Sequence, residues 1–405
     1  MKPIKICVIT ASRAEYGLMR WLMEDINLSS EFELQIIVTG SHLSEEFGYT
    51  YKQIELDGFR INEKIPFSLK KSDPISLGSA TGNLSSELVK SYKKIKPDLI
   101  LVMGDRYELL SVITASVLTS TPIAHISGGE ITEGAIDDQI RNAMTKISHF
   151  HFVANEVYAQ RVIQMGEEDW RVSVCGEPGL DNLQRQEIMS FEDLQNDLSL
   201  DLSKPTALVT YHPVTLEIND LEIQMNELIK AMDSLSKERG LQYVITYPNA
   251  DEGSDKIIKL WKNFVAKNQN MLLIKSLGQK RYLSALKNLS LMVGNSSSGL
   301  VEAPSFGMPV INIGNRQKGR MRGKNVLDVN YESLDIKKSI EIILDSPRRE
   351  SYFNPYGDGN SSKKILKYLS HIFKTYTRKE ILTKKFIDSE IVKKTENDFF
   401  ANYSD

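Results

Sequence analysis

Charged side chains follow several apolar runs of this 405-residue chain, at the points where those runs end. The run at residues 97–103 ends in Gly104-Asp105-Arg106, which places a carboxylate beside a permanent cation. In an open parallel sheet, ligands bind just beyond the carboxyl ends of the strands. Asp105 and Arg106 are therefore candidates for a reaction site, although a strand-to-helix turn with a surface ion pair explains this one motif equally well.

Two more acidic residues come after the next apolar run. Glu130 follows the turn Ser127-Gly128-Gly129, where glycines allow a ligand to approach the backbone closely. Asp137 opens the helix after it, where an acid is often only a dipole-stabilising cap. Together with Asp105 they would put three carboxylates in one cleft. Repulsion and burial would then raise at least one pKa, so that one group acts as an acid and another as a base.

Other strand ends carry residues suited to an anion. Arg13 lies at the start of the first helix, and Ser296 and Ser297 lie in a Gly/Ser-rich loop between a strand and a helix. Main-chain amides, hydroxyls and a helix N-terminus together suit a diphosphate, although serine caps are common. Glu302 is placed to accept the hydroxyls of a ribose, and Arg316 offers a further cation.

The six histidines divide by position. His212 directly follows a strand, which favours a general acid or a phosphate contact. His42 follows the second strand and is either a sugar contact or a satisfied turn histidine. The sequence predicts that the remaining histidines of strand-like runs pack in the core. They are His125, His149 and His151.

Short apolar runs alternate with helical patterns along the chain, which predicts an α/β protein with parallel sheets covered on both faces. A polar segment at 183–205 is the best linker candidate. We therefore predict two doubly wound Rossmann-like domains with an interdomain cleft, at residues 1–185 and 186–375, and a charged C-terminal tail at 376–405. The predicted strands lie near residues 4–10, 34–39, 98–103, 122–126, 149–154, 172–175, 207–211, 243–247, 271–275, 290–293 and 309–313.

Composition narrows the function classes. The 50 Lys+Arg and 53 Asp+Glu residues give a net charge of -3, so neither nucleic acid nor an anionic membrane is expected as a partner. No stretch is apolar enough to span a bilayer, and the first residues form a strand rather than a signal peptide. Cys7 and Cys175 lie in strand-like runs, which predicts reduced core cysteines and a cytoplasmic protein. No metal-ligand spacing, P-loop or Gly-x-Gly-x-x-Gly motif occurs.

Taken together, these motifs resemble the UDP-N-acetylglucosamine 2-epimerases, and in particular the hydrolysing members that make N-acetylmannosamine for sialic-acid-type sugars. The resemblance covers roughly residues 4–325, with the motifs in the family's order. They are Ser-Arg-Ala-Glu-Tyr-Gly, Gly-Ser-His, Met-Gly-Asp-Arg, Gly-Gly-Glu, Ile-Asp-Asp-Gln-Ile-Arg, Thr-Tyr-His-Pro-Val-Thr and Gly-Asn-Ser-Ser-Ser-Gly-Leu-Val-Glu.

The resemblance implies the glycosyltransferase-B architecture, a UDP-sugar substrate, a homodimer or homotetramer, and chemistry without a metal or a nicotinamide cofactor. UDP would be eliminated to leave 2-acetamidoglucal, and water would then add with the opposite configuration at C2. The residues that match the family's motifs take these implied roles: Asp105, Glu130 and Asp137 as acid/base carboxylates, His212 near the leaving diphosphate, Arg13, Arg106, Ser296 and Ser297 at phosphates, Glu302 at the ribose and His42 at the sugar.

One residue departs from some relatives, which have an acid directly before Gly-Gly where this chain has Ser127. The acidic role of that turn then falls on Glu130, and the acid/base set and the sugar stay open. UDP-N,N'-diacetylbacillosamine, on a route to legionaminic acid, is the nearest alternative substrate. Three different activities also fit the motifs: a non-hydrolysing epimerase, a glycosyltransferase of the same fold and a non-catalytic sugar-nucleotide-binding regulator.

Overall fold

The structure, a computed structural model, describes residues 2–45, 48–67, 73–132, 136–248, 253–268, 270–390 and 394, with residues 215 and 216 described by their backbone only. The chain forms two compact units. The first runs to residue 182 and resumes at residue 356, and the second comprises residues 183–355 together with Thr132.

The first unit is built on a parallel sheet of seven strands in the order β3-β2-β1-β4-β5-β6-β7. This is the doubly wound Rossmann order, in which the winding reverses between β1 and β4. The strands are β1 Ile4–Thr10, β2 Phe32–Val38, β3 Glu63–Lys64, β4 Leu99–Met103, β5 Ile123–Ile126, β6 Phe150–Val153 and β7 Val172–Val174.

The second unit repeats this plan with six parallel strands in the order β10-β9-β8-β11-β12-β13. Here the winding reverses between β8 and β11. The strands are β8 Thr206–Thr210, β9 Gln242–Thr246, β10 Met271–Ile274, β11 Leu291–Gly294, β12 Val310–Ile313 and β13 Val326–Val329.

Helices connect successive strands except β12 and β13, which a loop joins, and two helices near the C-terminus pack on the first unit. In chain order they are α1 Arg13–Leu28, α2 Tyr51–Leu56, α3 Pro74–Ile95, α4 Glu108–Thr119, α5 Ile136–Ile147, α6 Glu156–Gln164, α7 Asn182–Arg185, α8 Phe191–Leu198, α9 Leu221–Arg239, α10 Ser254–Val265, α11 Gly278–Asn288, α12 Ser298–Val301, α13 Ser333–Leu344, α14 Ser361–Thr375 and α15 Arg378–Leu382. None of these helices is long and apolar enough to cross a membrane, as judged on the described residues.

Each sheet is buried on both faces, which explains why its strands are continuous apolar runs. Along β1, Ile6 and Val8 join one core cluster, whereas Cys7 and Ile9 join the cluster on the opposite face. The second sheet likewise separates two clusters. Cys7 and Cys175 are both free and buried, as predicted.

The predicted α/β class with two parallel sheets is confirmed, and all eleven predicted strands occur within two residues of their expected bounds. Strands β3 and β13 were missed. The division of the chain differs from the predicted domains: the second unit ends at residue 355, so that residues 356–375 belong to the first unit and not to the second.

The segment after α14 is a second difference, because its described part is tied to the first unit by a buried arginine. Arg171 is fully buried and donates to the carbonyl oxygens of Glu380 (3.1 Å), Ile381 (2.9 Å) and Thr383 (3.0 Å). Its Nε donates to the Glu168 carboxylate at 2.6 Å.

A buried carboxylate adds a second attachment beside the first. Glu167 is fully buried, and its oxygens lie 2.7 Å from Lys146 Nζ, 2.7 Å from Lys384 Nζ and 3.1 Å from His151 Nε2. These bonds hold the pKa of the Glu167 carboxyl down at about 2 even though burial acts against them. The segment at 378–387, which we call the C-terminal clasp, therefore neutralises charges inside the first unit.

We expect Arg171→Met to lower the free energy of unfolding by about 3 kcal/mol, because three carbonyls and Glu168 lose a buried charged donor. Arg378→Met is the matched control: this exposed arginine donates to a single carbonyl, that of Ser120 at 2.8 Å, and its loss should cost less than about 1 kcal/mol. Urea unfolding measures both changes. Equal midpoints for Arg171→Met and the unmodified chain would contradict the role given to the clasp.

Candidate active site

Both sheets reverse their winding at a central pair of strands, and the loops after those strands lie at the positions where open α/β sheets bind ligands. In the first unit, Arg13 begins helix α1 just after the loop that follows β1, and Asp105 lies in the loop after β4. In the second unit they follow β8 and β11 and contain His212 and Ser296. The topology thus places the residues selected from strand ends at the two switch points or beside them.

Asp105 is held by an arginine that the sequence analysis passed over. Arg141 of α5 is almost fully buried and donates to the Asp105 carboxylate. Its other terminal nitrogen donates to the Glu130 carbonyl at 3.0 Å and to the Asp138 carboxylate at 3.2 Å. A single guanidinium therefore joins the end of β4, the turn after β5 and the first turn of α5.

Asp137 lies in the electric field of the same group. Burial and the negative charge of Asp105 raise the pKa of the Asp137 carboxyl, while Arg141 and Arg106 act against that rise. Glu130 is buried and is linked to the site by its main-chain carbonyl. The first unit thus brings the Asp105 carboxylate and the Glu130 carbonyl to Arg141, and the pKa of the nearby Asp137 carboxyl is raised.

A second charged group lies on the other side of the β4 turn. Arg106 makes a two-pronged contact with the buried Glu108 carboxylate, at 2.9 and 3.2 Å, and its Nε lies 3.8 Å from Glu15. Burial raises the pKa of the Glu15 carboxyl to about 7. Arg106 stays 36% exposed, so that one side of its guanidinium faces solvent. Arg13 is also exposed, as the first residue of α1.

His42 has no exposed ring nitrogen. The ring is fully buried, with Nε2 3.1 Å from the Thr10 hydroxyl and Nδ1 2.9 Å from the Thr50 hydroxyl. Burial lowers the pKa of the ring to about 4, so it is neutral at pH 7. This geometry matches a satisfied turn histidine, the alternative to a sugar contact.

The turn after β5 has a carboxylate neighbour that sequence reasoning missed. Ser127, at φ +68°, donates to the Glu177 carboxylate, whose two oxygens both lie 3.0 Å from the hydroxyl. Both residues are buried. Glu177 comes two residues after a strand-like run that ends at Cys175, just as Asp105 comes two residues after the run that ends at Met103. The rule that selected Asp105 would therefore also have selected Glu177.

In the second unit, Asn295 organises the switch point. Its amide oxygen accepts the His212 N–H at 2.7 Å, and its amide nitrogen donates to the His212 carbonyl at 2.8 Å. The preceding Gly294 has φ +139°, and a β-carbon there would lie 2.0 Å from the Thr210 carbonyl oxygen. Only glycine therefore lets the loop after β11 come this close to the end of β8.

His212 is buried, and burial together with the nearby Arg316 charge lowers the pKa of its ring to about 3. The ring is therefore neutral at pH 7, which suits a hydrogen-bond contact better than a general acid. Arg316 donates to the Asn295 carbonyl at 3.1 Å, so one face of its guanidinium supports the loop.

The serine-rich loop enters only a short helix. Ser297 is the N-cap residue of α12, which has four residues and passes into a 3₁₀ turn at Ala303–Phe306. The Ser296 hydroxyl accepts the Ser298 N–H at 3.4 Å. Burial raises the pKa of the Glu302 carboxyl beyond α12. The contribution of a helix dipole is correspondingly small, and the polar groups of this loop are mainly amides and hydroxyls.

Among the described residues, no group of three or more His, Cys, Asp or Glu side chains has the geometry to hold a metal ion. The first unit offers clustered carboxylates beside buried cations, which suits proton transfer. The second unit offers a polar loop with an arginine and a neutral histidine, which suits an anionic ligand.

Comparison with known proteins adds a family to this geometry. Residues 24–370 match a family described as UDP-N-acetylglucosamine 2-epimerase. The chain is 41% identical over 336 residues to a GDP/UDP-N,N'-diacetylbacillosamine 2-epimerase (hydrolyzing) of Campylobacter jejuni, which covers 83% of this chain and 86% of that protein. It is 34% identical over 368 residues to a UDP-N,N'-diacetylbacillosamine 2-epimerase (hydrolyzing) of Legionella pneumophila. That alignment covers 91% of this chain and 96% of the Legionella protein. A UDP-N-acetylglucosamine 2-epimerase of Neisseria meningitidis is 32% identical, and the alignment covers 83% of this chain and 86% of that protein.

Solved structures show the same fold at low identity. A Neisseria meningitidis UDP-GlcNAc 2-epimerase bound to UDP-GlcNAc superposes with a TM-score of 0.77 at 18% identity, covering 91% of this chain and all of that chain. A Methanocaldococcus jannaschii UDP-GlcNAc 2-epimerase in complex with UDP-GlcNAc and UDP gives a TM-score of 0.73 at 19% identity, over 91% of this chain and all of that chain.

The buried neutral histidines make stability depend on pH. Between about pH 6.5 and pH 4 the unfolded chain takes up a proton at His42 that the folded chain excludes, so stability falls as the pH is lowered through this range. His42→Gln should reduce the slope of the unfolding free energy over that range by up to about 1.4 kcal/mol per pH unit, the value of one linked proton. Urea unfolding between pH 4.5 and 7 measures the slope.

His371→Gln serves as the control for this measurement, because the ring of His371 is exposed in the folded protein. It should leave the slope as it is. An unchanged slope in His42→Gln would show that His42 takes up its proton without unfolding.

Proposed function

Because the chain belongs to the UDP-N-acetylglucosamine 2-epimerase family, we propose that it is a hydrolysing 2-epimerase of a nucleotide-activated 2-acetamido sugar. The observation that carries the proposal is the carboxylate cluster around Arg141, in which burial and Asp105 raise the proton affinity of Asp137. Neighbouring carboxylates of different proton affinity are what removal and return of a sugar proton require.

We propose UDP-N,N'-diacetylbacillosamine as the preferred substrate. The relatives at 41% and 34% identity are both named as hydrolysing diacetylbacillosamine 2-epimerases. UDP-N-acetylglucosamine, the substrate that the sequence motifs favoured, is the second candidate, supported by the Neisseria relative at 32% identity. The name of the Campylobacter protein also makes the GDP-linked sugar a case to test.

In the proposed reaction a carboxylate of the first unit takes the proton from C2 of the sugar. The C1–O bond to the diphosphate breaks, the C2–H electron pair becomes the C1=C2 double bond, and the nucleoside diphosphate leaves. Water then adds its oxygen to C1, and a protonated carboxyl delivers a proton to the opposite face of C2. The products are the free 2-epimer and the nucleoside diphosphate, so the hydrogen atoms and charges balance.

Each unit has its own task in this scheme. We assign proton transfer to Asp105, Glu130 and Asp137. We assign the departing diphosphate to the loop of Ser296 and Ser297 together with Arg316 and the neutral His212, because amides, hydroxyls and a guanidinium stabilise developing negative charge. Arg106 and Arg13 are assigned to phosphate and Glu302 to the ribose. The buried His42 supports the loop after β2.

The test is incubation with UDP-N,N'-diacetylbacillosamine, its GDP-linked form and UDP-N-acetylglucosamine in deuterated water, followed by NMR. We expect a free hexosamine with inverted C2 that carries one deuterium at that carbon, released together with the nucleotide. Two results would contradict the proposal: an epimerised sugar that stays attached to the nucleotide, which marks a non-hydrolysing epimerase, or no exchange at C2 with any of these sugars.

Asp105→Asn should lower kcat by about 10³-fold, because an amide neither takes nor returns the sugar proton while it still accepts a hydrogen bond from Arg141. Asp98→Asn is the matched control at the opposite end of β4, where the carboxylate accepts the Lys5 N–H at 2.9 Å. Its kcat should stay within about twofold of the unmodified chain. Steady-state release of the nucleotide measures both, and normal turnover in Asp105→Asn would remove Asp105 from the acid/base set.

A further inference from the structure

We propose that His125 is a positioning residue that sets the orientation of Asp105 through the Gly104 carbonyl. The inference rests on the proposed function, since it matters only if the Asp105 carboxylate takes part in the reaction. The sequence predicts merely that His125 packs in the core. The structure does bury it fully, and it also gives the ring a bond at the turn that carries Asp105.

The bond fixes one specific peptide group. His125 Nε2 lies 2.7 Å from the Gly104 carbonyl oxygen. Gly104 has φ +86°, and its N–H donates to the Ile126 carbonyl at 3.1 Å. Both polar groups of Gly104 are therefore bound to β5. Because the Gly104 carbonyl belongs to the peptide that ends at the Asp105 nitrogen, rotation of that peptide would carry the Asp105 side chain with it.

The carboxylate end of Asp105 is fixed independently. Arg141 donates to it and is itself anchored on the Glu130 carbonyl and Asp138. The backbone of Asp105 is thus set from β5 by His125, and its carboxylate is set from α5 by Arg141. Displacing a reacting group by about 1 Å can cost about 10²-fold in rate, so both attachments bear on turnover.

The chemistry of the ring defines a single tautomer. A carbonyl oxygen accepts only, so Nε2 must carry the hydrogen. Burial lowers the pKa of the His125 ring to about 4, which leaves it neutral at pH 7 with an unprotonated Nδ1. Within the described residues Nδ1 has no hydrogen-bond partner, and a β-carbon added at Gly128 would lie 3.4 Å from it. The bond to the Gly104 carbonyl therefore selects the Nε2–H form of the ring.

The neighbouring strand places a second buried histidine beside His125. His125 and His151 are register partners on β5 and β6, and the His151 ring lies 3.1 Å from the buried Glu167 carboxylate. Glu167 in turn binds Lys384 of the C-terminal clasp. Glu167, His151 and His125 are all completely buried, so no solvent is available to replace the hydrogen bond from the His125 ring to Gly104.

The test compares His125→Gln, whose side-chain amide can still donate to the Gly104 carbonyl, with His125→Leu, which has no donor. We expect His125→Leu to lower kcat by about 30-fold and to change KM by less than about threefold. The kcat of His125→Gln should be at least about threefold higher than that of His125→Leu, which is a third of the loss on a logarithmic scale. The control is Gln35→Leu, which removes a buried donor to the Ile95 carbonyl (3.0 Å) elsewhere in the same sheet and should leave kcat within about twofold.

A double-mutant cycle separates positioning from general loss of structure. If His125 acts through Asp105, adding His125→Leu to Asp105→Asn should lower kcat by less than about threefold more. Equal kcat losses in His125→Leu and Gln35→Leu, no recovery in His125→Gln, or full additivity in the cycle would each overturn the inference.

Histidine-selective ¹⁵N NMR of the unmodified chain tests the geometry without using activity. We expect a neutral Nε2–H tautomer for His125 from pH 5.5 to 8, identified by the signal missing in His125→Gln. A charged ring or the Nδ1–H tautomer overturns the inference. A third outcome separates the two proposals. If NMR shows the neutral Nε2–H tautomer but the unmodified chain releases no hexosamine from any tested sugar nucleotide, the proposed function is wrong while the hydrogen bond from His125 to Gly104 is confirmed.

Discussion

The candidate site depends on one buried positive charge, the guanidinium of Arg141. A guanidinium taken out of water destabilises the fold by several kcal/mol unless its donors find acceptors and its charge finds a counter-charge. Here the acceptors come from three elements: Asp105 after β4, Glu130 after β5 and, three residues before Arg141 itself, Asp138 in α5. The requirement to satisfy one side chain therefore gathers the acidic turns of the first unit. It also places Asp137 where burial and a neighbouring carboxylate act on its pKa in the same direction.

In the second unit an asparagine and a glycine fix the switch point. Asn295 binds both main-chain groups of His212, and Gly294 removes the β-carbon that would hold the two strand ends apart. Uncharged groups of this kind suit the diphosphate that we propose for this loop, since a carboxylate in the same place would repel it. The two units thus share one topology, and they differ in the chemistry at equivalent positions of the sheet.

Much of this arrangement was predictable because parallel strands are recognisable as apolar runs, and the residue after each run must lie at one edge of the sheet. That rule located Asp105, His212 and the serine-rich loop, and it would have located Glu177 had it been applied to β7. It failed for β13, whose residues are only partly covered and so form no apolar run, and for β3, which has two residues.

Burial and pairing were less accessible to sequence reasoning. Arg141 lies in a helix three residues after Asp138, a common spacing for an ion pair on a helix surface. The sequence around Arg141 gives no sign that its side chain also binds Asp105, 36 residues earlier in the chain. The role of His42 depended on the positions of two threonine hydroxyls, which decide whether a ring nitrogen is available to a ligand. The return of the chain to the first unit at residue 356 has no compositional mark, because the helix that makes it is amphipathic like its neighbours.

The C-terminal clasp shows why the extent of a family match and the extent of a folding unit can differ. The match ends at residue 370, yet Arg171 and Glu167 lie inside it and are bound by groups between residues 380 and 384: Arg171 by three main-chain carbonyls and Glu167 by the Lys384 ammonium. Charges that are fully buried need partners wherever the chain supplies them, and the main-chain carbonyls that Arg171 uses impose no particular side chain on the clasp. Residues 378–387 are therefore part of the first unit by physical criteria, and the interior of that unit is complete only with them.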